Sequence, residues 1–179
     1  AADKNGYAQG AFNVNAVCQV KAAVDVHQIL RSPAIIQGAD LANGFMGGRT
    51  DFANSTLEDK KAGAKNIGAA VKKYAADSDI PVALHLDHGK NFDSCIAAIE
   101  GGYTSVMIDG SSLPFDENVE LTREVVKYAH ERGVTVEGEL GVLAGVEDHV
   151  FAATSTYTNP LSAIDFFKKT GVDALAISY

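Results

Sequence analysis

Residues 83–91 read ALHLDHGKN, an apolar run suited to a buried strand that ends in His85, Asp87 and His88, three groups able to bind protons or a metal ion. Side chains alternate along a strand, so His85 and Asp87 share one face and Leu86 points the other way. His88 stands where the strand gives way to a loop, and Gly89 permits a sharp exit. A lone strand histidine is commonly a hydrogen-bonded core residue. His, Asp and His packed this closely make Asp87 and His88 candidates for proton transfer or metal ligation, with His85 orienting them. Glu137 and Glu139 form a second pair, two residues apart in the otherwise apolar VTVEGEL (134–140). A buried carboxylate needs a cation, a proton or strong donors, and no strand segment here carries a Lys or Arg to supply one. Asp109, closing SVMID, raises the same argument. Glu147-Asp148 lies in GVLAGVEDHV, read as a loop with Gly141 and Gly145 as hinges. By residue type alone this is a solvated acidic pair, and His149 an exposed histidine.

The elements that must position these groups follow from apolar patterning. Six short runs read as buried strands: 10–15, 33–39, 81–87, 104–110, 134–140 and 173–179. Segments of helical periodicity separate them. In one, Asp116 stands as the cap of a helix with Val119, Thr122, Val126 and Ala129 inside and Gly133 as its stop. In another, Asn159-Pro160 is a cap and first turn, Leu161, Ile164 and Phe167 form the apolar stripe, and Gly171 ends it. STLE (55–58) has capping-box spacing ahead of a helix reaching about Tyr74. His27 and His130 fall in helices and read as surface or structural. NGFMGGRTDF (43–52) reads as a Gly-rich loop after the second strand, a lid or ligand loop matching no phosphate motif.

Continuous apolar strands alternating with helices predict a parallel sheet covered by helices. Polar residues end nearly every strand: Asn13 and Asn15, Asp87 and His88, Asp109, Glu137 and Glu139. That distribution favours an α/β (β/α)8 TIM barrel, whose chemistry gathers from many strand ends on one face, over an open doubly wound sheet with one switch point. No dinucleotide or P-loop glycine motif supports the latter. With six of eight strands in view, residues 1–179 are expected to be a single incomplete barrel domain, its remainder beyond Tyr179.

Composition bounds the rest. The chain has 179 residues, 46% apolar and 21% charged, enough for one domain with a real core. A net charge of −8, with no run of Lys or Arg, argues against nucleic acid or an acidic membrane surface as partner. Cys18 and Cys95, both in helical segments, fit a reducing compartment and form no disulfide framework. No apolar stretch approaches the roughly 20 residues of a membrane span, and AADKNGYAQG lacks a signal pattern. A cytoplasmic domain is expected. None of the strand cores carries a lysine, so Schiff-base chemistry is excluded from them and carbanion chemistry would need a metal.

Taken together, GAFNVN, VALHLDHG, SVMIDGSSLPFDENVELT, VEGELGVLAGVED and NPLSAIDFFKKTGVDALAISY resemble the class II, metal-dependent fructose-1,6-bisphosphate aldolases over essentially the whole chain. The resemblance implies a zinc-dependent glycolytic and gluconeogenic lyase that cleaves fructose 1,6-bisphosphate reversibly to dihydroxyacetone phosphate and glyceraldehyde 3-phosphate. It implies His88 as a zinc ligand, Glu139 as an alternative or auxiliary ligand, and Asp109 near a secondary metal position, with a monovalent cation as a further candidate cofactor. Asp87 would exchange a proton with the C4 hydroxyl, Glu147 would move the proton on the dihydroxyacetone phosphate carbon, and Asn13 would contact substrate. Homodimers or homotetramers are implied as well. Tagatose-bisphosphate aldolases share nearly the same motifs and stay open as an alternative, as does a non-catalytic barrel relative. A metal-dependent hydrolase would want an H-x-H pair on its first strand, which GAFNVN lacks. In the family two further zinc-binding histidines follow the sixth and seventh strands, past Tyr179, and the phosphate-binding residues belong to the last two strands.

Overall fold

Each of the six apolar runs forms a strand. The computed structural model describes residues 2–142, 145–147, 150–152 and 155–179, with 145–147 and 150–152 described through their backbone. After a short helix α1 (Ala2–Asn5) come β1 (Ala11–Asn13), α2 (Val17–Leu30), β2 (Ala34–Ala39) and α3 (Asp40–Met46). A 3-10 turn (Phe52–Asn54) leads to α4 (Leu57–Ala75), then β3 (Val82–Gly89), α5 (Phe92–Glu100), β4 (Ser105–Ile108), α6 (Phe115–His130) and β5 (Thr135–Leu140). β6 (Gly145–Glu147) and β7 (Val150–Ala152) precede α7 (Pro160–Thr170) and β8 (Ala174–Ile177). The sheet order is β1-β2-β3-β4-β5-β8, all neighbours parallel. Each crossover carries a helix, so this is six strands of a (β/α)8 barrel.

Strand alternation sorts the residues into two layers. On β2, Ala34, Ile36 and Gly38 are buried against helices while Ile35, Gln37 and Ala39 face the concave side. Leu84, Leu86, Val106, Ile108 and Val136 continue the outward layer and meet Val20, Val24, Ile67, Cys95, Ala98, Val119, Val125 and Phe166 of the helices. The core is therefore the sheet–helix layer, and the concave side is left for polar groups.

Local chemistry sets the helix ends, with three departures from expectation. The capping box of α4 uses Thr56 and Asp59, one residue beyond STLE: Asp59 N–H donates to Thr56 Oγ1 at 3.2 Å and Thr56 N–H to Asp59 Oδ2 at 2.8 Å. Both Ser55 and Thr56 are cap-competent, and the shorter Asp side chain closes the box. Asp116 does not cap α6. Pro114 takes the N-cap position, so Asp116 lies in the first turn, where its charge meets the positive helix end. Residues 43–46 belong to α3, so the Gly-rich loop begins only at Gly47. As expected, the Asn159 side chain caps α7 with Pro160 at its start, and Gly171 ends it in the left-handed region at φ 74°.

The apolar stripe expected to bury α7 faces outward: Leu161, Ile164 and Phe167 are 76%, 52% and 55% exposed, and the helix packs through Phe166 and Thr170 instead. At the opposite sheet edge α2 likewise exposes Val26, Ile29 and Leu30. The loop expected around Glu147 contains an antiparallel ribbon, β6 on β7. Asp148 and His149 lie outside the described residues. Among those described, no helix is long and apolar enough to cross a membrane.

Candidate functional site

The site forms at the C-terminal ends of β1, β3, β4 and β5, and its key feature is a fault in β3. Regular alternation would turn His88 outward, opposite to Asp87, into the helix layer. The pairing of β3 with β4 shifts register between Leu86 and Gly89, and His88 adopts φ 46°, in the left-handed region that L residues rarely enter. Together these turn the imidazole to the concave side beside Asp87. Gly89 does not make the turn that its sequence position suggested; it is the last residue of β3, and it is glycine because the space for a Cβ is filled. An added carbon would lie 2.6 Å from the Met107 carbonyl oxygen and 2.8 Å from Leu86. Such backbone strain, costing on the order of 1–3 kcal/mol, persists only where its surroundings enforce it.

Turned inward, His88 Nδ1 lies 3.0 Å from Asp109 Oδ2 and 3.6 Å from Glu139 Oε2. One donor atom from each of these three half-buried residues falls within 4.8 Å of the others. The hydrogen bond to Asp109, with the nearby carboxylates of Asp87 and Glu139, raises the His88 pKa to about 9 against the opposing effect of burial. Burial would raise Asp109, but the hydrogen bonds from His88, the Ser111 hydroxyl (2.6 Å) and the Ser111 N–H (3.0 Å) carry it below the usual carboxylate range. One imidazole and two carboxylates are a donor set suited to a divalent ion such as zinc. Asp109 could serve such an ion as a ligand, or as the acceptor that fixes the His88 ring.

Asp87 stands beside this cluster. Its Oδ2 accepts a hydrogen bond from Asn13 Nδ2 at 2.7 Å. Beneath it, His85 Nδ1 meets Ser105 Oγ at 2.8 Å and His85 Nε2 meets Glu137 Oε2 at 3.4 Å. Burial lowers the His85 pKa and raises that of Glu137, so this is a polar contact holding a neutral ring and not a salt bridge. The arrangement that satisfies both ring nitrogens has Ser105 O–H donating to Nδ1 and Nε2–H donating to Glu137. Glu137 thus answers its burial with a histidine partner on another strand, a route that counting Lys and Arg could not show.

Asp87, His88, Asp109, Glu139 and Asn13 all converge on one face, as their strand-end positions suggested. Glu147 ends β6, and its side chain lies outside the described residues. Residue-by-residue reading passed over Ser105 and Ser111. Ser111 had a local signal, a hydroxyl two residues after a strand-end aspartate; Ser105 became visible only through the register that pairs it with His85.

An open concave site of imidazole and carboxylates at the C-terminal strand ends of a partial (β/α)8 barrel is one that could hold a metal ion. The chain belongs to the class II fructose-bisphosphate aldolase family, whose model matches residues 1–179. It is 50% identical to a fructose-bisphosphate aldolase of Treponema pallidum over 98% of this chain and 50% of that protein. It is 41% identical to one of Geobacillus stearothermophilus over 95% of this chain and 55% of that protein. The crystal structure of the YdjI aldolase from Escherichia coli K12 superposes with a TM-score of 0.75 at 30% identity, over 99% of this chain and 56% of that one. The chain spans about half the length of the curated relatives it matches.

Proposed function

We propose that the intact protein is a lyase that cleaves fructose 1,6-bisphosphate reversibly to dihydroxyacetone phosphate and glyceraldehyde 3-phosphate, with zinc as its metal. The observation that carries this reading is the meeting of His88, Asp109 and Glu139 within 4.8 Å beside Asp87. Zinc bound there supplies Lewis-acid polarisation of the substrate ketone. His88 and Glu139 would hold the ion, and Asp109 would serve it directly or through His88. Asp87 accepts the C4 hydroxyl proton as the C3–C4 bond breaks, and Glu147, carried on the β6–β7 ribbon, moves the proton at the carbon left on the three-carbon ketone phosphate. Asn13, at the end of β1, meets substrate or acts through Asp87, to which it donates a hydrogen bond.

The reading includes closure of the barrel by further strand–helix units beyond Tyr179. The outward apolar faces of α2 and α7, one at each edge of the sheet, support it. A cytoplasmic setting accords with two unbonded cysteines, and a homodimer or homotetramer follows from the family resemblance.

The test is cleavage of fructose 1,6-bisphosphate by the intact gene product, before and after a chelator and after zinc add-back, with tagatose 1,6-bisphosphate in parallel. Activity lost to chelator and restored by zinc is expected, and Asp87→Asn removes turnover with zinc still bound. Activity indifferent to chelator overturns the metal assignment; cleavage confined to the tagatose sugar reassigns the substrate.

A further inference from the structure

Asn13 and Asp87 sit on strands that are not neighbours. β2 lies between them, with Asn13 in register with Gln37 and Asp87 in register with Ala39. The 2.7 Å bond from Asn13 Nδ2 to Asp87 Oδ2 therefore passes over β2. On β2 the residue level with Asp87 is Ala39, whose side chain is a single methyl group, while Gln37 lies level with Asn13. An ionised carboxylate only accepts hydrogen bonds, so the carboxamide must present its N–H to Asp87 and turn its carbonyl away. Asp87 Oδ1 takes no hydrogen bond from any described residue.

We infer that Asn13 is a positioning residue for Asp87: its amide anchors Oδ2 and leaves Oδ1 as the one oxygen free to take the substrate proton. This rests on the proposed role of Asp87 as acceptor of the C4 hydroxyl proton. In that step the O–H bond breaks, the proton passes to Oδ1, C4 becomes the aldehyde carbon, and the C3–C4 electron pair stays with the three-carbon ketone. A carboxylate free to rotate presents the wrong oxygen or the wrong lone pair, and a misplacement near 1 Å can cost about 100-fold in rate. The inference departs from the simpler expectation that Asn13 binds substrate. Loss of a substrate contact raises KM, whereas loss of an aligned base lowers kcat.

The experiment compares Asn13→Asp, Asn13→Ala, Ala39→Val and the reference Asp87→Asn in the zinc-loaded intact protein. Asn13→Asp keeps the size of the side chain and removes the donor; Ala39→Val keeps both groups and adds bulk on the strand between them. Two rates are followed: cleavage of the sugar bisphosphate, and exchange of the dihydroxyacetone phosphate carbon-bound proton with solvent, a step that does not use Asp87. The Asn13 and Ala39 variants are expected to lower kcat for cleavage by about 10- to 100-fold, to leave KM within about twofold, and to retain wild-type exchange. The double variant Asn13→Ala with Asp87→Asn is expected to be no slower than Asp87→Asn alone, since groups acting as a unit are not additive. A raised KM with retained kcat makes Asn13 a substrate ligand and overturns the inference. Equal loss of cleavage and exchange also overturns it, by showing a general disturbance of the site. If Asp87→Asn abolishes cleavage while every Asn13 variant keeps wild-type kcat, the inference alone falls. If Asp87→Asn itself keeps turnover, the reading of Asp87 falls and takes the inference with it.

Discussion

Replacing Gly38 by alanine tests whether the floor of the site is set by packing behind the sheet. Gly38 lies in β2 between Gln37 and Ala39, its hydrogens turned toward the helix layer. A Cβ there would stand 2.2 Å from the hydroxyl oxygen of Tyr103, with the next atoms, Ile67 Cδ1 and Tyr103 Cζ, at 3.3 Å. The ring cannot swing aside cheaply, because Tyr103 is 2% exposed and its hydroxyl donates to Asn43 Oδ1 at 2.8 Å. Gly38→Ala is therefore an overpacking change costing about 1–3 kcal/mol. Tyr103→Phe alone removes the hydroxyl and leaves Asn43 Oδ1 buried without its donor, costing about 1–3 kcal/mol. Combining them removes the collision and leaves two close contacts at 3.3 Å, which a shift of a few tenths of an ångström relieves. The double variant should thus be more stable than the sum of the singles predicts, by about 1–2 kcal/mol. Equilibrium urea unfolding of the intact protein, with equal m-values across the four forms, measures this coupling. Effects additive within about 0.5 kcal/mol would refute the steric argument.

Other outcomes follow from individual contacts. Asp109→Asn weakens the charge-assisted anchor of His88 and should lower zinc affinity by about 10- to 100-fold in competition with a chromophoric chelator; unchanged affinity would remove Asp109 from the metal position. Thr56→Ala opens the α4 capping box and should destabilise the protein by about 1 kcal/mol in urea, while Thr56→Ser should restore most of it. Asp173 accepts from Val136 N–H at 2.7 Å and pairs with His130 at 2.9 Å, which outweighs its partial burial and lowers its pKa. A depressed carboxyl stabilises the fold above its ordinary value near 3.8 and loses that contribution as pH falls through the lower folded value. The stability gap between wild type and Asp173→Ala should accordingly narrow as pH falls below about 3.8 in acid titration.

How much of this was legible in the sequence depends on which layer a residue serves. The strands were, because outward residues such as Ile36, Leu86 and Val106 are buried whatever the concave side carries. The convergence of Asp87, Asp109 and Glu139 was, because parallel strands in a barrel bring their C-terminal ends to one face. Helix boundaries were legible to within a residue or two, and failed where two cap-competent residues compete, as Ser55 and Thr56 do, or where a proline takes the cap, as Pro114 does. The orientation of α7 was not legible: its apolar stripe is real, but Phe166 buries instead and Phe167 stays outside. Contacts across an intervening strand, such as that between Asn13 and Asp87, were also out of reach, since they depend on the register of both strands against β2.

The left-handed turn at His88 also says what would have to be moved if this site were transplanted. Copying Asp87 and His88 onto a regular strand of another scaffold would deliver the carboxylate to the lumen and the imidazole to the opposite side of the sheet. The portable unit is larger. It comprises the register slip against β4, the residue at φ 46°, and a glycine whose bare Cα accommodates the Met107 carbonyl. A designer who fixed the backbone first and chose side chains second would find the site almost assembled; one who worked in the other order would have the right letters on the wrong face.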